Sequence, residues 1–308
     1  MKIEQSVLGA IAILLAASPG IAATVSSATG VPTSVVITVR QSPRSQPVNL
    51  TPGDVKVMEG HTLAPVVKLQ RLAGDLADMQ LFILLDDSTR SASLGVHLAT
   101  LKTFVAALPP TTQVAVGYMR NGTFGPVQDF TLDHQKAASA LRLPESIPGG
   151  NGSPYFALSD LAKRWPSKQA TDRRAVLMLT DGVDRYYGTP DEEDPYVDAS
   201  IQDALKQGLM VYSIYLRGSG LYDRGSWTTN FAQSRLAEVS QETGGHAYFE
   251  DFTDPVSIAP FLKDFEDRLD NQYQVTIDAF SGPGVHPVKL RSELPGLKIE
   301  GPTHIYVR

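Results

Sequence analysis

The chain has 308 residues, of which 42% are hydrophobic, and this is enough to build a substantial core. Its 27 basic and 33 acidic side chains give a formal net charge of −6, so the basic excess typical of nucleic-acid-binding proteins is missing. We therefore expect no nucleic-acid partner. The absence of cysteine excludes disulfides, thiol nucleophiles and cysteine-ligated metals.

The N-terminal segment has the pattern of a cleaved secretory signal. A basic residue precedes the run VLGAIAILLAA, and small residues at Gly20 and Ala22 predict a signal peptide over 1–22 and a mature chain that starts at Ala23. No later segment reaches the roughly 20 apolar residues of a membrane-spanning helix, so none is expected after cleavage. The sequence thus predicts a secreted or periplasmic protein. An uncleaved anchor is the alternative, because Glu4 weakens the positive start of the signal.

Short segments rich in β-branched residues occupy both ends of the mature chain. Residues 23–76 contain SVVITVR, DVKVMEG and APVVKLQRL, and residues 270–308 contain QYQVTIDAF and HPVKLRSEL. Turn residues separate these segments, which predicts short strands. Because each arm is too small for a core of its own, we expect the two arms to form one small β-sandwich.

Residues 77–269, between the arms, alternate apolar strands with helical patterns. The predicted strands are LFILL, TQVAVGYM, RRAVLMLT, LMVYSIYL and HAYF, with TFGPVQDF as an edge strand. Helices are predicted between them, including 231–243 and 259–269. Because parallel neighbours need crossover helices, the order predicts an α/β domain with a doubly wound, mostly parallel, Rossmann-like sheet.

Oxygen-bearing side chains follow three of these segments at positions that a doubly wound sheet brings to one edge. They follow LFILL, open the helix after GGNG, and follow VLMLT. Carboxylate and hydroxyl oxygens suit a hard divalent cation such as Mg²⁺, Mn²⁺ or Ca²⁺. The side chains are Asp86, Asp87, Ser88, Ser153, Asp181 and Asp184.

The segments LLDDS, VAVGYMRNG, GGNGSPYFALSDL, LMLTDGVDRYY, VYSIYLRGSG and ETGGHAYF resemble a von Willebrand factor type A domain. More specifically, they are similar to a bacterial VWFA-related family described from acidobacteria. The likeness runs from about Leu50 to Tyr306 and so covers nearly the whole mature chain. It implies a non-enzymatic protein-binding or adhesion module built around a metal-ion-dependent adhesion site.

The resemblance also implies which residues hold the cation, with Mg²⁺ favoured over Mn²⁺ or Ca²⁺. The expected ligands are Asp86, Ser88, Ser153 and Asp181. The family pattern Asp-x-Ser-x-Ser has its third position at Arg90, so the site is partly degenerate. A guanidinium there either repels a cation or pairs with Asp87, which leaves both metal binding and its loss open.

A protein partner that presents a carboxylate is expected to complete the coordination of the cation, because four protein oxygens leave a six-coordinate Mg²⁺ short of ligands. Loops after parallel strands supply the candidate contact residues. These are Tyr186, Tyr187, Tyr222, Arg224 and Trp227. Burial of Trp227 in the core is the competing interpretation.

Each candidate ligand also has a purely structural interpretation. Ser153 before Pro154 is a good helix N-cap, Asp181 begins an ordinary Asp-Gly turn, and Asp86 and Asp87 could cap the following helix. The acidic stretch 181–198 could be a solvated loop or a rim that attracts cations or a basic partner.

Enzyme motifs are scarce. The sequence has no phosphate-binding G-x-x-x-x-G-K-[ST] loop, no G-x-S-x-G nucleophile turn and no H-E-x-x-H helix. Two alternatives to the binding module remain: a metal-assisted hydrolase, for which Asp87 is the one candidate base, and a metal-free interaction scaffold. The oligomeric state and the identity of the partner are left open.

Overall fold

The structure is a computed structural model that describes residues 30–41, 49–88, 91–145, 152–169, 173–186, 194–217 and 226–308. Several predicted features lie outside these ranges. They are the signal peptide over 1–22, Arg90, Tyr187, Tyr222 and Arg224. Among the described residues, no helix has the length and apolar character needed to cross a membrane.

Within these residues the chain forms fourteen strands, six α-helices and two short 3₁₀ helices, Pro52–Asp54 and Gly74–Leu76. In chain order the strands and α-helices are β1 (Val31–Gln41), β2 (Val55–Glu59), β3 (Thr62–Ala64), β4 (Val66–Arg71), β5 (Met79–Asp86), α1 (Ser91–Ala107), β6 (Thr112–Arg120), β7 (Thr123–Thr131), α2 (His134–Ser139), α3 (Pro154–Lys163), β8 (Arg174–Thr180), α4 (Pro195–Gln207), β9 (Leu209–Tyr215), α5 (Ser226–Glu242), β10 (Ala247–Tyr248), α6 (Ala259–Asp270), β11 (Gln272–Ala279), β12 (Gly284–Ser292), β13 (Leu297–Glu300) and β14 (His304–Val307).

The two arms of the chain form a β-sandwich, as predicted. One sheet has the order β13-β1-β11-β4 and the other β14-β12-β2-β3, so each sheet contains strands from both arms. The longest pairing joins β1 and β11 antiparallel, from Val31 opposite Ala279 to Thr38 opposite Gln272. Alternate residues of these strands, such as Val35, Ile37 and Val275, are buried in the sandwich core.

A six-stranded sheet of order β10-β9-β8-β5-β6-β7 forms the α/β domain. Its neighbours are parallel except for β7, which pairs antiparallel with β6 at the edge. The chain runs outward from β5 through β6 in one direction and through β8, β9 and β10 in the other. The sheet is therefore doubly wound, and the predicted fold class is confirmed.

Helices cover both faces of this sheet, which explains why its strands are nearly all apolar. On one face α1, α2 and α6 enclose a core that includes Leu94, Leu101 and Phe265. On the other face α3, α4 and α5 pack around Tyr155, Leu158 and further apolar side chains. Because α1 follows β5 on one face and the helix pair α3 and α4 flanks β8 on the other, a crevice opens between β5 and β8.

Polar side chains bridge the α/β domain and the sandwich. Arg268 of α6 has a side chain only 6% exposed, and its guanidinium donates hydrogen bonds of 2.5 Å each to Asp264 and Glu300. Arg40 of β1 donates to Asp264 at 2.8 Å. Burial alone would raise the pKa of Asp264, but the bonds from Arg268 and Arg40 outweigh it and lower that pKa to about 2. Arg40 thus ties α6 to β1, and Arg268 ties α6 to β13.

The element boundaries differ from the predicted ones in a few places. Helix α5 begins at Ser226 rather than at 231. The short strands β3, β13 and β14 were not predicted as separate elements, because they have only three or four residues each and too little alternation to be seen. The predicted domain limits at 22, 76 and 269 stay predictions.

Replacing Arg268 by methionine should destabilise the protein by about 3 kcal/mol, because Asp264 and Glu300 then lose a buried positive partner. Urea unfolding at pH 7 measures the change. The matched control is Lys298→Met. It also removes a positive partner of Glu300, but the Lys298 side chain is 75% exposed. We expect the control to cost less than about 1 kcal/mol. Equal stability of Arg268→Met and the unchanged protein would contradict a role for this bridge.

Candidate functional site

The candidate site lies at the carboxyl ends of β5 and β8, where the chain direction through the sheet reverses. β5 and β8 pair in parallel from Gln80 opposite Arg174 to Leu85 opposite Leu179. This register places Asp86 level with Thr180, the last residue of β8. Residues more than ninety positions apart in sequence therefore share one edge, as the sequence predicted.

Asp86 is buried and accepts hydrogen bonds from hydroxyl groups on two loops. Its Oδ1 accepts from the Ser88 backbone N–H at 2.9 Å and from Ser88 Oγ at 2.7 Å. Its Oδ2 accepts from Thr180 Oγ1 at 2.8 Å. The pairing of Asp86 with Ser88 was predicted. Thr180 was missed, although it stands in the LTDG segment that was used to recognise the third loop.

Asp181 is 2% exposed and faces a guanidinium. Its Oδ1 accepts from the Val183 backbone N–H at 3.0 Å, and its Oδ2 accepts from Arg185 Nη2 at 2.5 Å. Burial raises the pKa of Asp181 to about 6; Arg185 opposes this rise and the nearby Asp86 carboxylate adds to it. Asp86 lies close by in the fold, because its Oδ2 accepts from Thr180, the residue directly before Asp181.

The glycine after Asp181 fixes the path of this loop. Gly182 has φ +69°, and a Cβ there would lie 2.8 Å from Leu236 Cγ and 2.9 Å from the carbonyl oxygen of Ala232. Its backbone N–H donates to Thr180 Oγ1 at 3.2 Å. The Val183 N–H that donates to Asp181 Oδ1 closes a turn through the Asp181 side chain, so this pair also has the structural role that was considered for it.

Ser153 acts as a helix cap and also contacts the third loop. Its Oγ accepts from the Phe156 backbone N–H at 3.2 Å, which caps α3. The same hydroxyl donates to Asp184 Oδ2 at 2.6 Å. The backbone N–H of Arg185 donates to the Gly152 carbonyl at 3.0 Å, so two hydrogen bonds join the second and third loops. The direct partner of Ser153 is thus Asp184, which the sequence placed in the constellation but not among the four ligands.

Asp87 belongs to a different cluster from its neighbour Asp86. It is fully buried, and it accepts hydrogen bonds from Arg120, from Arg142 Nη1 at 2.9 Å and from the Glu145 backbone N–H at 3.0 Å. Arg142 in turn lies over the Tyr118 ring, 3.9 Å from its centroid. Asp87 therefore ties β5 to β6 and to the segment after α2, and is engaged as a structural ion pair.

Aromatic and apolar side chains are exposed on loops at the same edge of the sheet. Tyr186 is half exposed and packs edge-to-face on Phe156, with 5.4 Å between ring centroids. Trp227 is 64% exposed and contacts Phe231 at 5.0 Å between centroids, so the alternative that buries it in the core is wrong. Further exposed apolar side chains follow β10, at Phe249, Phe252 and Val256.

The residues at this edge fit a hard cation in the chemistry of their donors. Asp86, Ser88, Ser153 and Asp181 offer only carboxylate and hydroxyl oxygens, and Thr180 and Asp184 add two more such groups. Among the described residues, no group of three or more His, Cys, Asp or Glu side chains could hold a metal. A cation here would therefore depend on hydroxyl ligands in addition to carboxylates.

The strand order of the α/β domain is doubly wound, and the D-x-S and TDG segments meet at its carboxyl edge. These features are those of a fold like the von Willebrand factor type A domain. No protein-family model and no curated protein matches the sequence. The assignment to the VWFA-related family described from acidobacteria stays a prediction.

Three solved structures are similar at low sequence identity. An aerotolerance-related membrane protein from Bacteroides fragilis NCTC 9343 is 15% identical, with 62% of this chain and 98% of that chain aligned and a TM-score of 0.45. The conserved hypothetical protein BatB from Bacteroides thetaiotaomicron is 14% identical, with 62% of this chain and 97% of that chain aligned and a TM-score of 0.44. The SpRpn10 VWA domain is 12% identical, with 61% of this chain and 94% of that chain aligned and a TM-score of 0.38. At these values the likenesses add nothing to the fold that the strand order shows.

The raised pKa of Asp181 predicts a pH dependence of stability. In the folded state Asp181 is protonated below about pH 6. In the unfolded state it becomes protonated only below its ordinary pKa of 3.8. Asp181 should therefore add stability as pH falls through 6, by about 1 kcal/mol between pH 7 and pH 5. Denaturant unfolding in EDTA measures this gain, and Asp181→Asn should lack it. An identical pH profile in the variant would contradict the raised pKa.

Proposed function

We propose that this protein is an extracytoplasmic, non-enzymatic binding module of the adhesion type. It would hold a divalent cation, with Mg²⁺ favoured, at the carboxyl edge of its α/β domain. The observation that carries the proposal is that two buried carboxylates, Asp86 and Asp181, stand at the adjacent ends of the parallel strands β5 and β8. Two such charges in one buried site repel each other, and a cation between the loops would offset that repulsion.

The residues that would hold the cation are those of the sequence prediction: Asp86, Ser88, Ser153 and Asp181. Thr180 and Asp184 support them, since they bond directly to Asp86 and Ser153. When bound, Mg²⁺ supplies a positive centre to which a carboxylate of a protein partner is attracted. Any carboxylate can meet that requirement, so the surrounding loops must supply the specificity.

The loops at this edge offer apolar contact area for such a partner. Trp227, Phe252 and Val256 are exposed on segments that follow β9 and β10, and Tyr186 is half exposed beside β8. Aromatic side chains of this kind are enriched among the residues that dominate binding energy at interfaces. A partner with an acidic residue next to apolar residues fits this arrangement.

A metal-free interaction scaffold is the second candidate function, and the ion pair between Arg185 and Asp181 favours it. The guanidinium is largely buried, with its side chain 12% exposed, and donates to Asp181 at 2.5 Å. It neutralises the carboxylate that the cation needs. Loss of the third hydroxyl position at Arg90 points the same way.

The structure gives little support to the metal-assisted hydrolase. Asp87 was its one candidate base, and that carboxylate is fully buried and bonded to Arg120, Arg142 and the Glu145 N–H. A base in such an ion pair neither faces the other two carboxylates nor contacts water. We therefore propose a binding role.

Millimolar Mg²⁺ should stabilise the protein, by about 2.7 kcal/mol at a hundredfold excess over Kd. The gain should vanish in Asp181→Ala. It should increase in Arg185→Gln, because the cation no longer competes with a guanidinium for Asp181. Thermal unfolding with and without EDTA measures all three.

The matched control for Arg185→Gln is Arg164→Gln. Arg164 forms an ion pair with Asp160 at the same four-residue spacing, but it is exposed and directly follows the end of α3. We expect this variant to respond to Mg²⁺ as the unchanged protein does. If none of Mg²⁺, Mn²⁺ and Ca²⁺ stabilises either the unchanged protein or Arg185→Gln, the cation site is wrong and the metal-free scaffold is favoured.

The partner interaction can be tested by capturing envelope proteins on the immobilised chain in Mg²⁺, in EDTA and in high salt. We expect capture that is lost in EDTA and in Asp181→Ala. Trp227→Ser should weaken capture without changing the stabilisation by Mg²⁺. Capture that survives both EDTA and Asp181→Ala but disappears in high salt would reject the cation bridge, because long-range charge attraction alone is screened by salt.

A further inference from the structure

A second recess lies at the opposite, amino end of the central sheet, where the α/β domain meets the sandwich. It has a volume of about 530 Å³, which is within the usual range for small-molecule sites. One wall is β1 with the end of β14, and the other is the turn from α4 into β9, at Leu205–Met210. The inserted arrangement of the domains creates this recess, which we call the seam cleft.

The charges that line the seam cleft are all positive, although the chain as a whole carries −6. Lys168, Arg174 and Lys206 line it together with His304, and no aspartate or glutamate is among its described lining residues. Arg308 also lines it, and an α-carboxylate on the same residue would offset that charge.

Two described carboxylates contact the lysines or the histidine of the cleft. Asp203 contacts Lys206 but has closer partners, and Glu242 contacts only His304 among these groups. Asp203 lies 3.8 Å from Lys206 Nζ, but it lies 3.0 Å from Lys163 Nζ and accepts a 2.5 Å hydrogen bond from Ser159. Glu242 contacts His304 Nδ1 at 2.7 Å. Among the described residues, no carboxylate pairs with Lys168, and the one that pairs with Lys206 is shared with Lys163 and Ser159.

Arg174, the first residue of β8, is held in place at the cleft wall. Its Nη1 donates to the Gln207 carbonyl and its Nη2 to the Gln169 carbonyl, both at 3.3 Å. These bonds orient the guanidinium on a rigid strand, which is what a built binding site requires. The flexible Lys168 and Lys206 flank it.

Apolar residues complete the walls of the seam cleft. Val35, Leu205 and Ile305 line it, with Leu209 and Met210 at the start of β9. A ligand of matching character carries an anionic group at one end and an apolar or weakly polar body at the other. Water-exposed cations beside apolar walls favour such amphipathic anions over simple ions.

We propose that the seam cleft binds a small organic anion, with its phosphate or carboxylate group at Lys168, Arg174 and Lys206 and its body against β1 and β14. The site is separate from the one at Asp86 and Asp181, because it lies at the other end of the parallel strands and uses positive rather than negative groups. It therefore does not depend on the proposed cation or on its partner.

Calorimetric titration of the full chain with phenyl phosphate and with benzoate, in buffer free of divalent cations, tests the proposal. We expect saturable binding of at least one of them, and the preferred one tells phosphate from carboxylate recognition. The double variant Lys168→Glu with Lys206→Glu should weaken this binding at least tenfold. Both lysines are exposed, so the fold should be kept, and circular dichroism verifies it.

The matched control is Lys68→Glu with Lys289→Glu, which makes the same charge change at exposed positions of the sandwich outside the cleft. We expect it to change the affinity less than twofold. Arg174→Lys should also weaken binding, because lysine cannot bridge the two carbonyls and offer a planar donor pair together. Absence of saturable binding by both probes, or an equal loss in the control, would overturn the proposal.

Discussion

The parallel pairing of β5 with β8 is the constraint on which the candidate site depends. The two strands are neighbours in the sheet although the chain visits β6 and β7 between them. Their register sets Asp86 beside Thr180, and the hydrogen bond from Thr180 Oγ1 to Asp86 Oδ2 connects the two strand ends. The connections leave β5 and β8 toward opposite faces, and a crevice at such a reversal of strand order is where ligands of doubly wound sheets usually bind.

The same arrangement explains why an apolar strand ends on two successive aspartates. Neighbouring side chains of a strand point to opposite sides, so Asp86 and Asp87 cannot share one environment. Asp87 turns toward β6 and is neutralised by two arginines, which makes it part of the framework. Asp86 turns toward β8 and receives only neutral donors among its described hydrogen bonds, which leaves its charge available. One carboxylate fixes the position of the edge, and the other gives the edge its chemistry.

The alternation of strands and helices was sufficient to predict the doubly wound sheet, because continuous apolar runs between helical patterns allow few other arrangements. The pairing of the two arms was predicted from their size alone. The sequence could not show that Arg185 reaches back to Asp181, or that Ser153 bonds to Asp184, since both contacts depend on how tightly two loops close. A role for Thr180 could have been predicted, because its hydroxyl group stands at the end of an apolar strand, directly before the Asp-Gly pair of the third loop. Trp227 could not be assigned to core or surface, because a single aromatic residue at a loop end carries no periodicity.

The place where the chain enters and leaves the α/β domain gives its two ends different roles. β5 begins directly after the N-terminal arm, and β11 begins directly after α6, which runs back from the carboxyl edge of the sheet. Both connections are therefore at the amino end, and the sandwich must pack there, held by Arg268 and Arg40. The carboxyl edge carries the acidic side chains Asp86, Asp181 and Asp184, which stand at or just after the ends of β5 and β8. The amino end is partly closed by the sandwich and lined by Lys168, Arg174 and Lys206. The two ends are separated along β8, so the cation and the anion that we propose would not compete for one site.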